Sequence, residues 1–173
     1  MSDTVRDVWV IGTSHDYQVL RRDEDQPGIG QFRAIVTATA TEGSVRAIAE
    51  EMSLEGLALP KADESVCREV ARALDIPHRF CDPCAQERKA LGIAEDDDIR
   101  LRGFFTGRDQ RAIDDEVRAS YTLREQRWLG HLIELDAWPL LFVCGANHAE
   151  SFIEQLGADE IDAHLLFRNW SPN

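Results

Sequence analysis

Two histidines follow glycine-containing turns of the same form. Residues 10–15 read Val-Ile-Gly-Thr-Ser-His and residues 143–148 read Val-Cys-Gly-Ala-Asn-His, so both fit the pattern Val-x-Gly-x-x-His. With 11 glycines and five histidines in 173 residues, random placement gives roughly 0.3 Gly-x-x-His matches. A neutral imidazole can bind a metal ion or accept a proton near neutral pH. We therefore take His15 and His148 as candidate catalytic residues.

The other residues of these turns are suited to contacting a ligand. Each turn directly follows an apolar run that predicts a buried strand, and ligands of open α/β sheets bind at the carboxyl ends of the strands. Glycine lets the chain turn there and leaves backbone amides accessible. We expect Gly12, Ser14, Gly145 and Asn147 to contact substrate. The alternative is two ordinary strand-to-helix turns whose histidines cap helices or face solvent.

A pair of acidic residues follows the second predicted strand. Glu50 and Glu51 come directly after the run Val45–Ala49. Because side chains alternate across a strand, both carboxylates reach the site only if the strand ends at about Glu50 and the chain turns there. One of the two could instead be solvated at the surface.

One basic residue interrupts an apolar helix face. Apolar residues recur at three- and four-residue spacing over residues 109–135, which predicts a long amphipathic helix, and Arg124 lies on its apolar stripe. A buried guanidinium needs a partner, and a bidentate carboxylate or an anionic reaction species would suit it. The alternative is a side chain that reaches water past Trp128. Asp82, which ends the third predicted strand, either joins the site or caps the next helix.

Cys81 and Cys84 form a Cys-x-x-Cys motif, which occurs in redox pairs and in halves of zinc sites. The sequence contains no second Cys-x-x-Cys and no His-x-x-x-His to complete a structural zinc site. The motif also follows the third predicted strand, whereas a thioredoxin-like protein carries it after the first long strand. A thiol redox protein that uses these two cysteines stays as one alternative function.

The elements that must position these residues alternate along the chain. The predicted strands are Val8–Ile11, Val45–Ala49, His78–Cys81, Leu140–Cys144 and His164–Phe167. The predicted helices are Gln31–Thr41, Ser65–Leu74, residues 109–135 and Ala149–Leu156. We expect Gly157 to end the last helix. This alternation predicts a single α/β domain over residues 1–173, with a mostly parallel central sheet of about five strands and helices on both faces.

Two segments, Arg21–Gly30 and Gly92–Gly107, are typical of loops. The second contains three consecutive aspartates at 96–98 and then Phe104 and Phe105. We expect a solvated acidic loop with both aromatic side chains in the core. A mobile flap over a site is the alternative.

The charge of the chain excludes some partners. The net charge is -13, and nucleic-acid and anionic membrane surfaces attract basic proteins, so neither partner is expected.

The N-terminus shows no apolar signal region, and the longest apolar run is too short to cross a membrane. Four cysteines in a chain of this length do not indicate a disulfide framework, which favours the cytoplasm. The sequence does not indicate an oligomeric state.

The motifs together resemble those of a known superfamily. Gly12–His15, the pair Glu50–Glu51, Arg124 and Gly145–His148 are similar in order to the motifs of the TraB/Tiki, erythromycin esterase and ChaN-like superfamily. Its hallmark is a Gly-x-x-His turn, a pair of glutamates and a second downstream histidine. The resemblance covers residues 8–150 through short motifs, and members of the superfamily are mostly larger than this chain.

The resemblance implies a hydrolytic site. Tiki-like members are metal-dependent peptidases, the esterases open a macrolactone with a histidine, and ChaN-like members bind haem. By this analogy His15, Glu50 and His148 would bind a divalent metal ion of unknown identity, or the histidines would act directly on water. Glu50 or Glu51 would orient that water, and Arg124 would stabilise the oxyanion or anchor a glutamate.

The expected function is therefore hydrolysis of an amide or ester bond in a small molecule or peptide. A non-catalytic protein of the same fold that binds haem or a metal ion is the main alternative.

Overall fold

A computed structural model describes residues 5–21, 26–59 and 61–172 of the chain. Its strands, in chain order, are β1 (Asp7–Thr13), β2 (Val19–Arg21), β3 (Ala47–Glu50), β4 (Ala62–Ser65), β5 (His78–Phe80), β6 (Leu140–Gly145) and β7 (Asp162–Trp170). Its helices are α1 (His15–Gln18), α2 (Ile29–Glu42), α3 (Leu54–Ala58), α4 (Val66–Ala73), α5 (Ala85–Leu91), α6 (Asp96–Phe105), α7 (Gln110–Leu135) and α8 (Ala149–Ala158). Each predicted strand and helix is present, with small differences at the ends.

Within the described ranges, β5, β3, β6, β1 and β7 form one sheet in that order, and each neighbouring pair is parallel. The predicted α/β fold with a mostly parallel five-stranded sheet is confirmed. β2 and β4 pair antiparallel in a separate small sheet, which the sequence pattern did not indicate. None of the helices in these ranges combines the length and the apolar composition of a membrane span.

Helices cover both faces of the main sheet. One core contains Trp128 from α7 and Phe152 from α8, and the other contains Phe32 from α2 and Val70 from α4. Successive side chains of β6 alternate between these two cores, and all six residues of this strand are buried. A strand that is buried on both faces needs no polar alternation, which explains its continuous apolar sequence.

The register of β1 and β6 brings the two Gly-x-x-His turns together. Gly12 pairs with Cys144 and Thr13 pairs with Gly145, so the two strands end side by side. Because the strands are parallel, the residues that follow them emerge at the same edge of the sheet.

The segment Gly92–Gly107, predicted to be a loop, contains helix α6. Its three aspartates occupy the first turn, where acidic side chains interact favourably with the positive end of the helix dipole. Ile99 packs against Ile113 of α7 and holds the helix in place. Phe104 and Phe105 are 78% and 77% exposed, so the expectation that they lie in the core is wrong.

Other boundaries also differ from the predictions. Gly157 lies inside α8, which ends one residue later with Asp159 as its C-cap, so Gly157 does not end the helix. Part of the predicted loop Arg21–Gly30 lies outside the described residues. Of the rest, Arg21 belongs to β2 and Ile29 begins α2.

Gly12 is required by the close approach of β7. A Cβ atom added at Gly12 would lie 2.1 Å from the carbonyl oxygen of Arg168 and 2.9 Å from the Cβ of Ala149.

We expect Gly12→Ala to lower the free energy of unfolding by about 1–3 kcal/mol, because strand and helix must move apart. Gly130→Ala is the matched control, since nothing lies within 4 Å of its added Cβ, and alanine in a helix should stabilise by up to about 1 kcal/mol. Urea unfolding checks both values, and an unchanged midpoint for Gly12→Ala would contradict the close approach.

Candidate active site

The two turn histidines lie at the carboxyl edge of the sheet in different environments. His15 begins α1 after Ser14, whose hydroxyl accepts a hydrogen bond from the backbone N–H of Asp16 at 3.4 Å. His148 is the N-cap residue of α8. The side chain of His15 is 55% exposed and that of His148 only 5%. The structure therefore places one accessible imidazole and one buried imidazole at the same edge.

The carboxylate of Glu51 lies between the two imidazoles. Its Oε1 atom is 3.8 Å from Nε2 of His15 and 3.7 Å from Nε2 of His148. Its Oε2 atom accepts a hydrogen bond of 2.7 Å from the backbone N–H of Gly145. Glu51 is 2% exposed, so these neighbours replace most of its contact with water.

Gly145 leaves the space that this arrangement needs. A Cβ atom added there would lie 3.2 Å from both Oε2 of Glu51 and Nε2 of His15. The missing side chain thus lets the carboxylate approach the backbone amide closely. The amide binds a protein carboxylate in this structure, so its availability to a ligand is smaller than the sequence suggested.

Arg124 and Asp82 form a bidentate ion pair beside Glu51. Nε and Nη2 of Arg124 donate to Oδ1 and Oδ2 of Asp82 at 2.5 and 2.8 Å. The indole N–H of Trp128 also donates to Oδ1 of Asp82, at 3.3 Å. Nη2 of Arg124 is 3.4 Å from Oε1 of Glu51. Of the alternatives open for this guanidinium, the structure shows a bidentate carboxylate, and Asp82 joins the site through it.

The surroundings of Arg124 favour its charged form. Burial by itself would lower the pKa of the guanidinium. The hydrogen bonds to Asp82 and the negative charges of Glu51 and Asp82 outweigh this effect, so the pKa is raised on balance. Arg124 is therefore a fixed positive charge at the centre of the site.

Glu125 is a site residue that sequence reasoning missed. Its Oε1 atom is 2.7 Å from Nδ1 of His148 and accepts a hydrogen bond of 2.6 Å from the hydroxyl of Ser151. Glu125 is 2% exposed. The spacing in the sequence could have indicated this residue. Glu125 lies four residues after Tyr121 and three before Trp128, on the apolar stripe of α7, and an acidic residue is as unexpected there as Arg124.

Glu50 does not join this group. As the last residue of β3 it points to the face opposite Glu51, where its Oε1 atom is 2.8 Å from Nε2 of His78 and accepts a hydrogen bond from the hydroxyl of Ser65. Side chains alternate across a strand, and the turn after Glu50 does not reverse this alternation. Glu50 is therefore not counted among the site residues.

An open cleft of about 730 Å³ lies against the site. His15, Glu51, Arg124 and His148 line it, as do the expected contact residues Ser14, Gly145 and Asn147. Gly12 instead lies buried beneath the turn, against β7. A second cavity of about 670 Å³ borders His15, Glu51 and Arg124 from another side.

Of the three residues expected to bind a metal ion, His15 and His148 meet at one edge of the sheet and Glu50 does not join them. Glu50 points away, and the described residues contain no group of three or more His, Cys, Asp or Glu side chains that could hold a metal ion. The carboxylate nearest to both turn histidines, Glu51, already has the guanidinium of Arg124 3.4 Å from Oε1. A fixed cation there opposes a second one. A divalent metal ion bound by the two histidines would therefore compete with Arg124 for this carboxylate.

The lining of the cleft is unfavourable for haem. The side chains along it are mainly polar or acidic, with Asp16, Glu95 and the aspartates of α6 on its rim. Pockets for ligands of this kind are lined mainly by hydrophobic and aromatic side chains.

Cys81 and Cys84 are not among the described residues that line the two cavities beside the turn histidines. Cys81 is buried, and Cys84 is the N-cap residue of α5; both are free thiols. Burial raises the pKa of the Cys81 thiol, and a thiol held in this form is a weak nucleophile.

No family model, curated protein or solved structure matches the chain. The resemblance to the TraB/Tiki, erythromycin esterase and ChaN-like superfamily therefore stays a prediction from short motifs.

The Asp82–Arg124 pair should show strong energetic coupling. We expect Asp82→Asn to lower the free energy of unfolding by about 3 kcal/mol, because it leaves a mostly buried guanidinium without its carboxylate. Arg124→Met should also destabilise, and the double variant should lose at least about 1 kcal/mol less than the sum of the two single losses. Urea unfolding of the four proteins measures this coupling.

The control for this cycle is an exposed ion pair on the same helix. The side chains of Arg118 and Asp115 are 70% and 56% exposed, so Arg118→Met should change the stability by less than about 0.5 kcal/mol. Additive losses for the Asp82 and Arg124 substitutions would show that the pair does not hold the site together.

Proposed function

We propose that this chain is a hydrolase that cleaves an amide or ester bond, with His15 as the general base and without a bound metal ion. The observation that carries the proposal is the convergence of three nitrogen atoms on one buried oxygen. Nε2 of His15, Nε2 of His148 and Nη2 of Arg124 lie 3.8, 3.7 and 3.4 Å from Oε1 of Glu51. All four side chains line the open cleft. An acid–base group beside a fixed positive charge is an arrangement suited to acyl transfer to water.

His15 is the side chain best suited to move a proton. Its exposure lets water and substrate reach Nε2 from the cleft. Oε1 of Glu51 lies 3.8 Å from this same atom, so a carboxylate is next to the nitrogen that takes the proton. A general base of this kind contributes about 10²- to 10⁴-fold to a rate.

Arg124 is suited to bind the carbonyl oxygen of the substrate. Asp82 holds the guanidinium through Nε and Nη2, and no hydrogen bond among the described residues uses Nη1. Because Arg124 also lines the cleft, Nη1 can donate to an oxygen there. A donor whose position is already fixed stabilises developing negative charge at little reorganisation cost.

The reaction then needs only water and these side chains. The water oxygen attacks the carbonyl carbon while Nε2 of His15 takes a proton from the water, so that a C–O bond forms and the carbonyl oxygen becomes an oxyanion next to Arg124. When the tetrahedral intermediate collapses, the bond to the leaving nitrogen or oxygen breaks. The imidazolium of His15 gives its proton to this atom. The products are a carboxylic acid and an amine or alcohol, and His15 returns to its neutral form.

The choice between a histidine mechanism and a metal-assisted one depends on Glu51. A metal ion bound by His15 and His148 would have to share this carboxylate with Arg124. The guanidinium is held there by Asp82 and cannot move aside without breaking the bidentate pair. Positive charge at this position therefore comes from Arg124 in our proposal.

Hydrolysis of a chromogenic panel tests the proposal. The panel consists of p-nitrophenyl esters and of aminoacyl amides of 7-amino-4-methylcoumarin. EDTA is present in the assay to remove metal ions. We expect turnover by the wild-type chain, and we expect His15→Ala to lower kcat/KM by about 10²-fold or more, because the general base is lost.

His164→Ala is the matched control, since His164 is exposed on β7 and stacks on Trp9 away from the cleft. This variant should keep wild-type kcat/KM. Turnover that survives in His15→Ala, or a wild-type chain that hydrolyses neither substrate class, would contradict the proposal.

A further inference from the structure

His148 is held more tightly than His15. Its ring lies 4.1 Å from the ring of Tyr121 and 4.9 Å from that of Trp128, measured between centroids. Glu125 contacts its Nδ1 atom at 2.7 Å. Both members of this pair are at least nine-tenths buried, so water cannot replace the carboxylate as a partner. The ring therefore has one orientation and one strong acceptor.

This contact determines which nitrogen of His148 carries the proton. A carboxylate accepts hydrogen bonds, so Nδ1 must be the donor in the 2.7 Å contact. In the neutral ring Nε2 then has a free lone pair. This atom lies 3.7 Å from Oε1 of Glu51, which lines the cleft as His148 does.

Nε2 of His148 is an acceptor that the reacting water can use. It lies too far from Oε1 of Glu51 for a direct hydrogen bond, and a carboxylate has no proton to give it. A water molecule has two O–H groups. The nucleophilic water of the proposed hydrolysis can donate one of them to Nε2 of His148 and the other to Nε2 of His15, the base that takes its proton.

We propose that Glu125 is a positioning residue that holds His148 in the Nδ1–H form, so that Nε2 accepts a hydrogen bond from the reacting water. The catalytic part of this inference rests on the proposed hydrolase function. The tautomer itself does not, because it follows from the contact between His148 and Glu125.

Ser151 allows the role of Glu125 to be separated from simple packing. Its hydroxyl donates to the same Oε1 atom of Glu125, at 2.6 Å. Removing this hydroxyl leaves the Glu125 carboxylate in contact with His148, whereas replacing the carboxylate removes the acceptor. If Glu125 only joined α7 to α8, neither change would alter the tautomer of His148.

Imidazole ¹⁵N NMR spectra of the ¹⁵N-histidine-labelled full-length chain, recorded at high pH where the rings are neutral, test the inference. We expect the wild-type chain and Ser151→Ala to show His148 with its proton on Nδ1. Glu125→Met, whose side chain has similar length and cannot accept the bond, should shift the proton to Nε2 or to a mixture of both forms. His148→Asn identifies the resonances, and circular dichroism checks that each variant is folded.

The outcomes are distinct from those of the hydrolysis assay. Wild-type His148 with its proton on Nε2, or an unchanged Nδ1–H form in folded Glu125→Met, would overturn the inference.

If the tautomer behaves as expected and the wild-type chain hydrolyses the panel, Glu125→Met should lower kcat by about 10²-fold and change the pH profile, with a smaller effect on KM. An altered tautomer with unchanged kcat would overturn the catalytic part. If the tautomer behaves as expected but the chain hydrolyses nothing, the failure is that of the hydrolase proposal.

Discussion

The ion pair between Arg124 and Asp82 is the interaction on which the site depends. A carboxylate as buried as Glu51 needs compensating charge and hydrogen bonds, and Arg124 together with the amide of Gly145 supplies them. The guanidinium could not stay in this place without Asp82, because burial of an unpaired charge is costly. The pair therefore fixes the carboxylate against which both turn histidines are arranged. It also links α7 to the carboxyl ends of the sheet strands.

The parallel sheet explains why residues so distant in sequence meet at this point. His15 follows β1, Glu51 follows β3, Asp82 follows β5 and His148 follows β6. These strands are neighbours in the order β5-β3-β6-β1, so their carboxyl ends form one continuous edge. Among the site residues on helices, α7 contributes a cation and an acid from adjacent positions. Arg124 lines the cleft and Glu125 contacts the buried His148, so adjacent residues of one helix contribute to two parts of the site.

The fold was predictable because buried parallel strands and long helices leave strong patterns, and the Gly-x-x-His turns stood out because they directly follow two such strands. The direction of each glutamate was not predictable, since it depends on the residue at which β3 ends; Glu50 and Glu51 are adjacent in sequence but face opposite sides of the sheet. Helix α6 was missed because its acidic first turn resembles a solvated loop. Glu125 was not predicted as a site residue, although it interrupts the same apolar stripe as Arg124, because its contact with His148 depends on how α7 packs beside the turn after β6.

The central claim is that Arg124, rather than a metal ion, provides the positive charge beside Glu51. The most direct test is the metal content of the wild-type chain and of the His15→Ala/His148→Ala double variant, each incubated with Zn²⁺ or Mn²⁺ and then desalted. Our account predicts far less than one metal ion per chain in both proteins, with no difference between them. Near-stoichiometric metal in the wild-type chain that is lost in the double variant would contradict it, and would place both histidines in a metal site.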